Sequence, residues 1–307
     1  MPILVMLSPA PVLEAPGGDI VLDRRFVEGM VLHCQLWPGT VYCVLWQGAS
    51  AIPEGARFSP RRLGFELILL PQGAPVPDSL LDEAHLVYCA ADDLRHLHLA
   101  EAMRTRVGRL VYTLEQPLAD RLATTRDPGK PLRRQLGAAL FNLRGEVPLA
   151  RANGVHLNGL ATAAAYGRLN PQTLVYLDNR IRQPMLARTA DQMARATRLI
   201  EGAPLSLVAL GPLDPGSGME DVIPTAHLLA NLGVPFRLEI VGQGSLAPRL
   251  RDGIAALGLG GQVRLAPPAG FEGHLLPMLR REIDLALIPR RLPEGPGPYV
   301  EAMGCGL

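Results

Sequence analysis

Short apolar runs alternate with helix-like segments along the chain, and they do so in two separate series. The first series begins with Ile3–Leu7 and ends near residues 173–177, and the second runs from Leu205–Leu210 to residues 283–288. Strands that alternate with helices predict a parallel sheet, because the connection between parallel strands must cross back over a face of the sheet. We therefore predict an α/β fold with two Rossmann-like domains, over residues 1–185 and 186–307.

The other elements follow from periodicity and length. Further strands are predicted over residues 41–46, 65–70, 86–90, 109–114, 236–241 and 262–265. Helices are predicted over residues 21–32, 94–106, 132–160, 187–200, 221–232, 247–257 and 275–281. The second series holds four strands, whereas about six are usual for a doubly wound sheet. We therefore expect the second domain to be incomplete, with its last strand at an edge of the sheet.

Composition argues against several classes of protein. With 48% hydrophobic and 19% charged residues the chain is globular, and a net charge of +1 gives no support for a nucleic-acid partner. The four cysteines are widely spaced, and the N-terminus lacks the basic segment of a signal peptide. We expect a cytoplasmic protein, and peripheral contact with the inner face of a membrane stays open. His85, His96 and His98 do not share a helix face, so we expect no metal site.

The segment after the last predicted strand carries two carboxylates around a Gly/Pro loop. The apolar run 283–288 stops at Pro289, the loop contains Glu294, and Glu301 is predicted to open a short helix. In an α/β sheet, ligands bind at the carboxyl ends of strands beside helix N-termini. Carboxylates are strong acceptors for hydroxyl groups, and a sugar and a ribose are rows of hydroxyls. The segment therefore indicates a nucleotide-sugar ligand, although a loop charge and a charge that favours the helix dipole would give the same pattern.

Several strings in the second half share their pattern with one group of enzymes. Residues 237–244 predict a strand and a glycine turn, and residues 301–306 read Glu-Ala-Met-Gly-Cys-Gly. In these strings the chain resembles the GT-B glycosyltransferases, specifically the large retaining group that uses nucleotide sugars. Six residues separate Glu294 from Glu301, one fewer than the usual pattern of that group, and a bacterial subgroup resembles this shorter spacing.

The resemblance implies the transfer of a sugar from a UDP- or GDP-sugar, with retention, and with no metal or other cofactor. Glu294 is then a catalytic residue that contacts hydroxyls of the donor sugar, and Glu301 takes the ribose hydroxyls. Backbone N–H groups of Gly295 and Gly297 approach the sugar and the diphosphate, because glycine permits close contact. The remaining donor-side candidates are Gly211, Gly242, Gly244, Arg290 and Arg291.

The chain departs from that group just after the first strand of the second domain. The group carries an Arg and a Lys there, which neutralise the diphosphate and stabilise the leaving nucleotide. Here Pro212 and Ser217 stand in their places, and Asp214 adds a negative charge. Losing one such charge stabiliser costs about 3–4 kcal/mol, or roughly a hundred- to a thousandfold in rate. Arg290 and Arg291 are the candidates to replace them, or they are solvated loop charges.

Four residues of the predicted first domain are candidates for the acceptor side. Gly17 and Gly18 follow the first strand, where backbone could meet a diphosphate, or they form a plain turn. Glu115 ends a strand and binds the acceptor or serves as a catalytic base, or it caps the following helix. Asn158 is a site residue or a turn residue.

Three functions remain open. The first is a glycosyltransferase that acts on a glycan or lipid-linked acceptor and builds a polysaccharide or glycolipid. The second is a degenerate GT-B-like protein with weak or no activity that binds a nucleotide or a partner protein, as Pro212 and Ser217 indicate. The third is a sugar-nucleotide epimerase of similar two-domain shape, which lacks the acidic helix opening. The resembled group continues past the position of Gly306, so we expect a truncated and weakly stable chain.

Overall fold

The structure is a computed structural model, and it describes residues 1–48, 52, 55–92, 94–117, 145–290 and 295–307. The chain divides into two compact units, of which the first ends at Tyr176 and the second begins at Leu177. Both units are built from parallel strands and helices, which confirms the predicted α/β class.

The first unit contains a parallel sheet of seven strands whose interior strands are buried on both faces. Val5 and Val44 on one face and Cys43 and Leu45 on the other are 0% exposed, as expected when helices cover both faces of a parallel sheet. The strands of this unit are β1 (Ile3–Leu7), β2 (Leu13–Glu14), β3 (Ile20–Asp23), β4 (Thr40–Trp46), β5 (Gly55–Phe58), β6 (Glu66–Leu70), β7 (Leu86–Ala90), β8 (Arg109–Leu114), β9 (Gly154–Asn158) and β10 (Thr173–Tyr176). The large sheet has the order β10-β9-β8-β7-β1-β4-β6.

A small antiparallel sheet of three strands corrects the prediction of a helix over residues 21–32. Ile20–Asp23 forms β3, which pairs with β2 on one side and β5 on the other. The helix begins only at Arg24, because Asp23 is its N-cap and accepts the Phe26 N–H on Oδ1 at 3.0 Å. The sequence pattern missed this sheet because β2 and β3 are only two and four residues long.

The helices of the first unit differ from the predicted ones. They include α1 (Arg24–Leu36), α2 (Asp78–Glu83), α3 (Leu99–Ala102) and α4 (Gly159–Tyr166). The helix predicted over residues 94–106 is wrong, because α3 lies between two 3₁₀ turns, Leu94–His96 and Met103–Thr105. The mostly helical segment predicted over residues 132–160 is confirmed at residues 145–151 and wrong after them, because β9 follows and α4 begins only at Gly159. The residues of that segment before 145 lie outside the described part.

The second unit contains four parallel strands, as predicted. These strands are β11 (Leu205–Leu210), β12 (Phe236–Val241), β13 (Val263–Ala266) and β14 (Leu285–Leu287). The helices are α5 (Thr189–Ile200), α6 (Val222–Asn231), α7 (Ala247–Ala256), α8 (Leu276–Arg281) and α9 (Gly297–Gly304). The spatial order is β13-β12-β11-β14, which places β14 at an end of the sheet, where Leu285 is 49% exposed.

A buried arginine fixes the last helix against the sheet. Arg195 of α5 is 6% exposed. It donates to the Ile283 carbonyl at 2.6 Å and to the Gly306 carbonyl at 2.7 Å. These carbonyls precede β14 and follow α9, and a buried charge needs such acceptors. The contact therefore holds the segment that carries Glu301 in a defined place.

Candidate functional site

The sheet of the second unit reverses its direction of strand addition at β11. β12 lies on one side of β11, and β14 lies on the other. Ligands of open α/β sheets bind at the carboxyl ends of strands where the order reverses, because the connections diverge there and leave a crevice. The segments that follow β11 and β14, which the structure describes over residues 211–218, 288–290 and 295–304, are therefore the candidate site of this unit.

The loop after β11 lies directly against the end of β14. A Cβ built on Gly211 would come within 3.0 Å of Arg290 Nη2, so the Arg290 guanidinium packs beside the Gly211 backbone. Gly218 has a φ of +83°, and a Cβ there would lie 1.3 Å from the Pro289 carbonyl oxygen. Pro212 follows Gly211 directly. The structure thus places an arginine of β14's loop beside the stretch in which the resembled group carries its cations.

The glycines after β12 serve close packing between two loops. A Cβ on Gly242 would lie 2.0 Å from the Gly211 carbonyl oxygen, and one on Gly244 would lie 2.7 Å from Asp214 Oδ1. Asp214 accepts the Ser245 N–H on the same oxygen at 3.1 Å. This packing accounts for both glycines without a ligand, and it shows that the Asp214 carboxylate is hydrogen-bonded to the neighbouring loop. Their donor-binding role stays a prediction.

Glu301 lies inside helix α9, so the prediction that it opens a helix is wrong. The helix begins at Gly297, because Pro298 is compatible with a first helical turn. The Glu301 side chain is buried, with the residue 7% exposed. It accepts two hydrogen bonds from Arg180, from Nε at 2.9 Å and from Nη2 at 3.0 Å. The carboxylate is therefore held by a bidentate arginine at the reversal point of the sheet.

Arg180 is a site residue that the sequence pattern missed. Its guanidinium lies 4.0 Å from the centre of the Phe271 ring, as in a cation–π contact. Phe271 begins a π-helical turn, Phe271–Leu275, which follows β13. Sequence offers little signal for this pair, because 121 positions separate Arg180 from Glu301.

The Gly/Pro loop before α9 is only partly described. Gly295 precedes the helix, and a Cβ on Gly297 would lie 3.1 Å from the Asp178 carbonyl oxygen, so glycine allows a close approach there. Arg291 and Glu294 lie outside the described residues. Their predicted roles, and that of Gly295, stay predictions.

In the first unit the ends of three adjacent strands bring Glu115, Asn158 and Tyr176 together. Asn158 Nδ2 donates to Glu115 Oε2 at 2.7 Å, and the Tyr176 hydroxyl donates to Glu115 Oε1 at 2.8 Å. Thr113 Oγ1 lies 3.0 Å from the Tyr176 hydroxyl. Asn158 is 4% exposed, whereas Glu115 is exposed. The arrangement orients the Glu115 carboxylate, and a carboxylate held by two donors keeps acceptor sites for further hydroxyls.

Burial sets the protonation states around this cluster. It raises the pKa of Tyr176, and the negative charge of Glu115 raises it further, so the tyrosine stays a donor. Burial also lowers the pKa of His156, whose Nδ1 lies 3.2 Å from the Tyr88 hydroxyl. The imidazole is therefore neutral near pH 7.

Gly17 and Gly18 occupy the exposed turn of the β2–β3 hairpin. Their φ angles are +84° and +81°, and a Cβ on either would meet nothing within 4 Å. Such angles favour glycine in a turn, which explains both residues without a ligand. Their acceptor-side role stays a prediction.

The described residues form neither a metal site nor a membrane span. No group of three or more His, Cys, Asp or Glu side chains in that part of the chain is arranged to hold a metal ion. None of the helices in the described ranges is long and apolar enough to cross a membrane.

Solved structures resemble the whole chain, although no protein-family model and no curated protein matches it. Anabaena HepE in complex with UDP has a TM-score of 0.64 at 16% identity, over 100% of this chain and 79% of that one. Sucrose-phosphate synthase from Thermosynechococcus elongatus has a TM-score of 0.64 at 15% identity, over 100% and 80%. WaaG, a glycosyltransferase involved in lipopolysaccharide biosynthesis, has a TM-score of 0.57 at 13% identity, over 99% and 79%.

These neighbours are GT-B glycosyltransferases, and the likeness confirms the predicted GT-B fold with Rossmann-like domains. At 13–16% identity the likeness establishes the fold alone, because one fold hosts many functions.

Proposed function

We propose that this protein is a glycosyltransferase that transfers a sugar from a UDP- or GDP-sugar, with retention and without a metal, to a glycan or lipid-linked acceptor in the cytoplasm. One observation carries the proposal. A buried carboxylate, Glu301, and the guanidinium of Arg290 both lie on the segment that follows β14, and that guanidinium packs against Gly211 on the segment that follows β11, at the reversal point of the second unit's sheet. A carboxylate for ribose hydroxyls and a cation for a diphosphate are the two groups that a nucleoside diphosphate needs.

Arg290 supplies the charge that Pro212 and Ser217 lack. Its guanidinium packs on the Gly211 backbone, next to Pro212. The negative charge of Asp214 opposes a bound diphosphate less than an unpaired carboxylate would, because its carboxylate accepts hydrogen bonds from Ser245. A fixed guanidinium at the leaving diphosphate stabilises charge as it develops, and such stabilisation commonly contributes more to catalysis than any other single effect. Arg291 would add to it, and Glu294 would contact the sugar.

On the first unit, Glu115 is the residue we assign to the acceptor. Its carboxylate is oriented by Asn158 and Tyr176 and is exposed. It accepts a hydrogen bond from the attacking hydroxyl, either to position it or to take its proton as a base.

A second function is favoured by Pro212 and Ser217 themselves. If Arg290 does not compensate for them, the protein binds nucleotide without turning it over at a useful rate. The two functions differ measurably in the rate of sugar transfer, since one lost charge stabiliser lowers that rate roughly a hundred- to a thousandfold.

Nucleotide titration tests the proposal. Calorimetry with UDP and GDP, with ADP as the comparison, should show binding of UDP or GDP by the folded wild-type protein. Arg290→Gln should weaken that binding about tenfold or more, because hydrogen bonds to charged groups contribute about 1.5–3 kcal/mol each. Arg264→Gln is the matched control, since Arg264 lies on β13 with its side chain 78% exposed, and it should leave the affinity unchanged. A folded wild-type protein that binds neither UDP nor GDP, nor any of their sugars, would reject the proposal.

Turnover separates the two functions. Release of free UDP or GDP from a panel of nucleotide sugars is measured for the wild type and for the double variant Pro212→Arg, Ser217→Lys. A rapid wild type supports the transferase. A slow wild type whose rate rises about a hundredfold or more in the double variant supports the nucleotide-binding alternative.

A further inference from the structure

Arg180 makes a constrained ionic contact beside the segments that follow β11 and β14. Both of its hydrogen bonds to the Glu301 carboxylate are 3.0 Å or shorter, and its guanidinium carbon also lies 4.0 Å from the centre of the Phe271 ring. The side chain of Arg180 is 33% exposed, and the side chain of Glu301 is 10% exposed. The pair therefore joins three segments of the second unit: the stretch after Tyr176, the π-helical turn after β13, and helix α9.

The surroundings of Arg180 fix its backbone as well as its side chain. Asn179 accepts the Ile181 N–H on its side-chain oxygen at 2.9 Å and donates to the Leu177 carbonyl at 2.9 Å. These local bonds replace regular secondary structure. The guanidinium is therefore presented to Glu301 by a pre-organised turn, and little conformational freedom is left to lose when a ligand binds.

A buried carboxylate needs such a partner. A carboxylate buried without a hydrogen-bond partner is unfavourable, so without Arg180 the side chain would turn toward water. A side-on guanidinium takes one lone pair from each oxygen, and an ionised carboxylate has about four such sites. Arg180 thus fixes the orientation of the Glu301 carboxylate while acceptor capacity remains for a ligand.

We propose that Arg180 is a positioning residue for the donor: it holds Glu301 so that the two ribose hydroxyls of a nucleoside diphosphate donate to the oxygens of that carboxylate. This inference rests on the proposed function, because Glu301 must face the nucleotide. It predicts that Arg180 affects only the part of the affinity that depends on ribose hydroxyls. The base and the diphosphate are bound by other groups.

The test compares UDP with 2′,3′-dideoxy-UDP by calorimetry. The wild type should prefer UDP by about tenfold or more, as expected for hydrogen bonds to a charged acceptor. Arg180→Gln should lose most of that preference while its affinity for dideoxy-UDP stays within about twofold. Arg180→Lys, which keeps the charge but not the planar fork, should recover part of the preference.

A matched control separates positioning from general destabilisation. Arg198 of α5 pairs in the same unit with Asp284, whose side chain is 4% exposed, and it also donates to Ser206 near the start of β11. Arg198→Gln therefore breaks a comparable pair away from the carboxyl ends of the strands, and it should leave the preference for UDP unchanged. Phe271→Leu removes the ring on which Arg180 stacks but keeps an apolar side chain, so it disturbs folding less than Arg180→Gln does. It should lower the preference for UDP over dideoxy-UDP, as Arg180→Gln does.

Each result has one meaning. An Arg180→Gln or Phe271→Leu protein that keeps the full preference overturns the positioning role while nucleotide binding stands. Equal wild-type binding of UDP and dideoxy-UDP overturns it as well, because Glu301 then receives no hydroxyl. A wild type that binds no nucleotide overturns the proposed function, and the positioning role with it.

Discussion

Replacing Gly218 by alanine is expected to push the loop after β11 away from the end of β14. The residue has a φ of +83°, and a Cβ would lie 1.3 Å from the Pro289 carbonyl oxygen. The left-handed conformation costs a residue with a Cβ about 1–2 kcal/mol, and the overpacking costs about 1–3 kcal/mol more. The free energy of unfolding of the second unit should therefore fall by about 2–5 kcal/mol.

Gly216→Ala is the matched control in the same loop. Its φ is +90°, but a Cβ there would meet nothing within 4 Å. It should lose only the conformational part, about 1–2 kcal/mol. The difference between the two variants, about 1–3 kcal/mol, isolates the contact that seats the loop beside Arg290.

Hydrogen exchange followed by mass spectrometry measures the effect where it occurs. Both tryptophans, Trp37 and Trp46, lie in the first unit, so their fluorescence reports that unit and serves as an internal reference. Peptides that cover β11 and β14 should exchange faster in Gly218→Ala than in Gly216→Ala, and UDP should bind more weakly to the former. Equal exchange and equal affinity in the two variants would refute the argument that this close approach builds the site.

Three further predictions concern the first unit. Asp23→Ala removes the N-cap of α1 and should cost about 1 kcal/mol in urea unfolding followed by tryptophan fluorescence; no loss would contradict the capping role. Burial lowers the pKa of His156 below its ordinary 6.5, so its contribution to stability is complete above that pH and falls as the pH drops toward the folded pKa. His156→Gln should flatten the pH dependence of the urea midpoint in this window, and an unchanged dependence would contradict the burial argument. Burial raises the pKa of Cys43 to about 12, so iodoacetamide at about pH 8 should not modify it in the folded protein, and labelling there would be the contrary result.

The strands of the second unit were predictable because their apolar runs are bounded by glycine and proline. Leu205–Leu210 and Phe236–Val241 have the predicted bounds. In the first unit Ile3–Leu7 and Leu86–Ala90 also have the predicted bounds, but Gly154–Asn158 was missed, because it is only five residues long and follows helical residues. A run of that length does not distinguish a strand from the end of a helix by periodicity.

The candidate site was predictable in part. Sequence nominated Glu115 because it ends a predicted strand, and it nominated Asn158 as a site or turn residue. The structure shows that Asn158 ends the neighbouring strand, and the shared edge of the parallel sheet brings the two within hydrogen-bonding distance. Sequence could not pair Glu301 with Arg180, because that contact depends on how a turn and a helix pack against each other. Pairs of this kind are set by tertiary packing, for which spacing along the chain gives no periodic signal.

Protection from hydrogen exchange by saturating UDP tests the central claim most directly. We predict slower exchange in peptides that cover residues 211–218 and Gly297–Gly304, with little change around β2 and β3. Protection confined to the first unit, or absent from both segments while UDP is bound, would contradict the assignment of the donor site to the second unit.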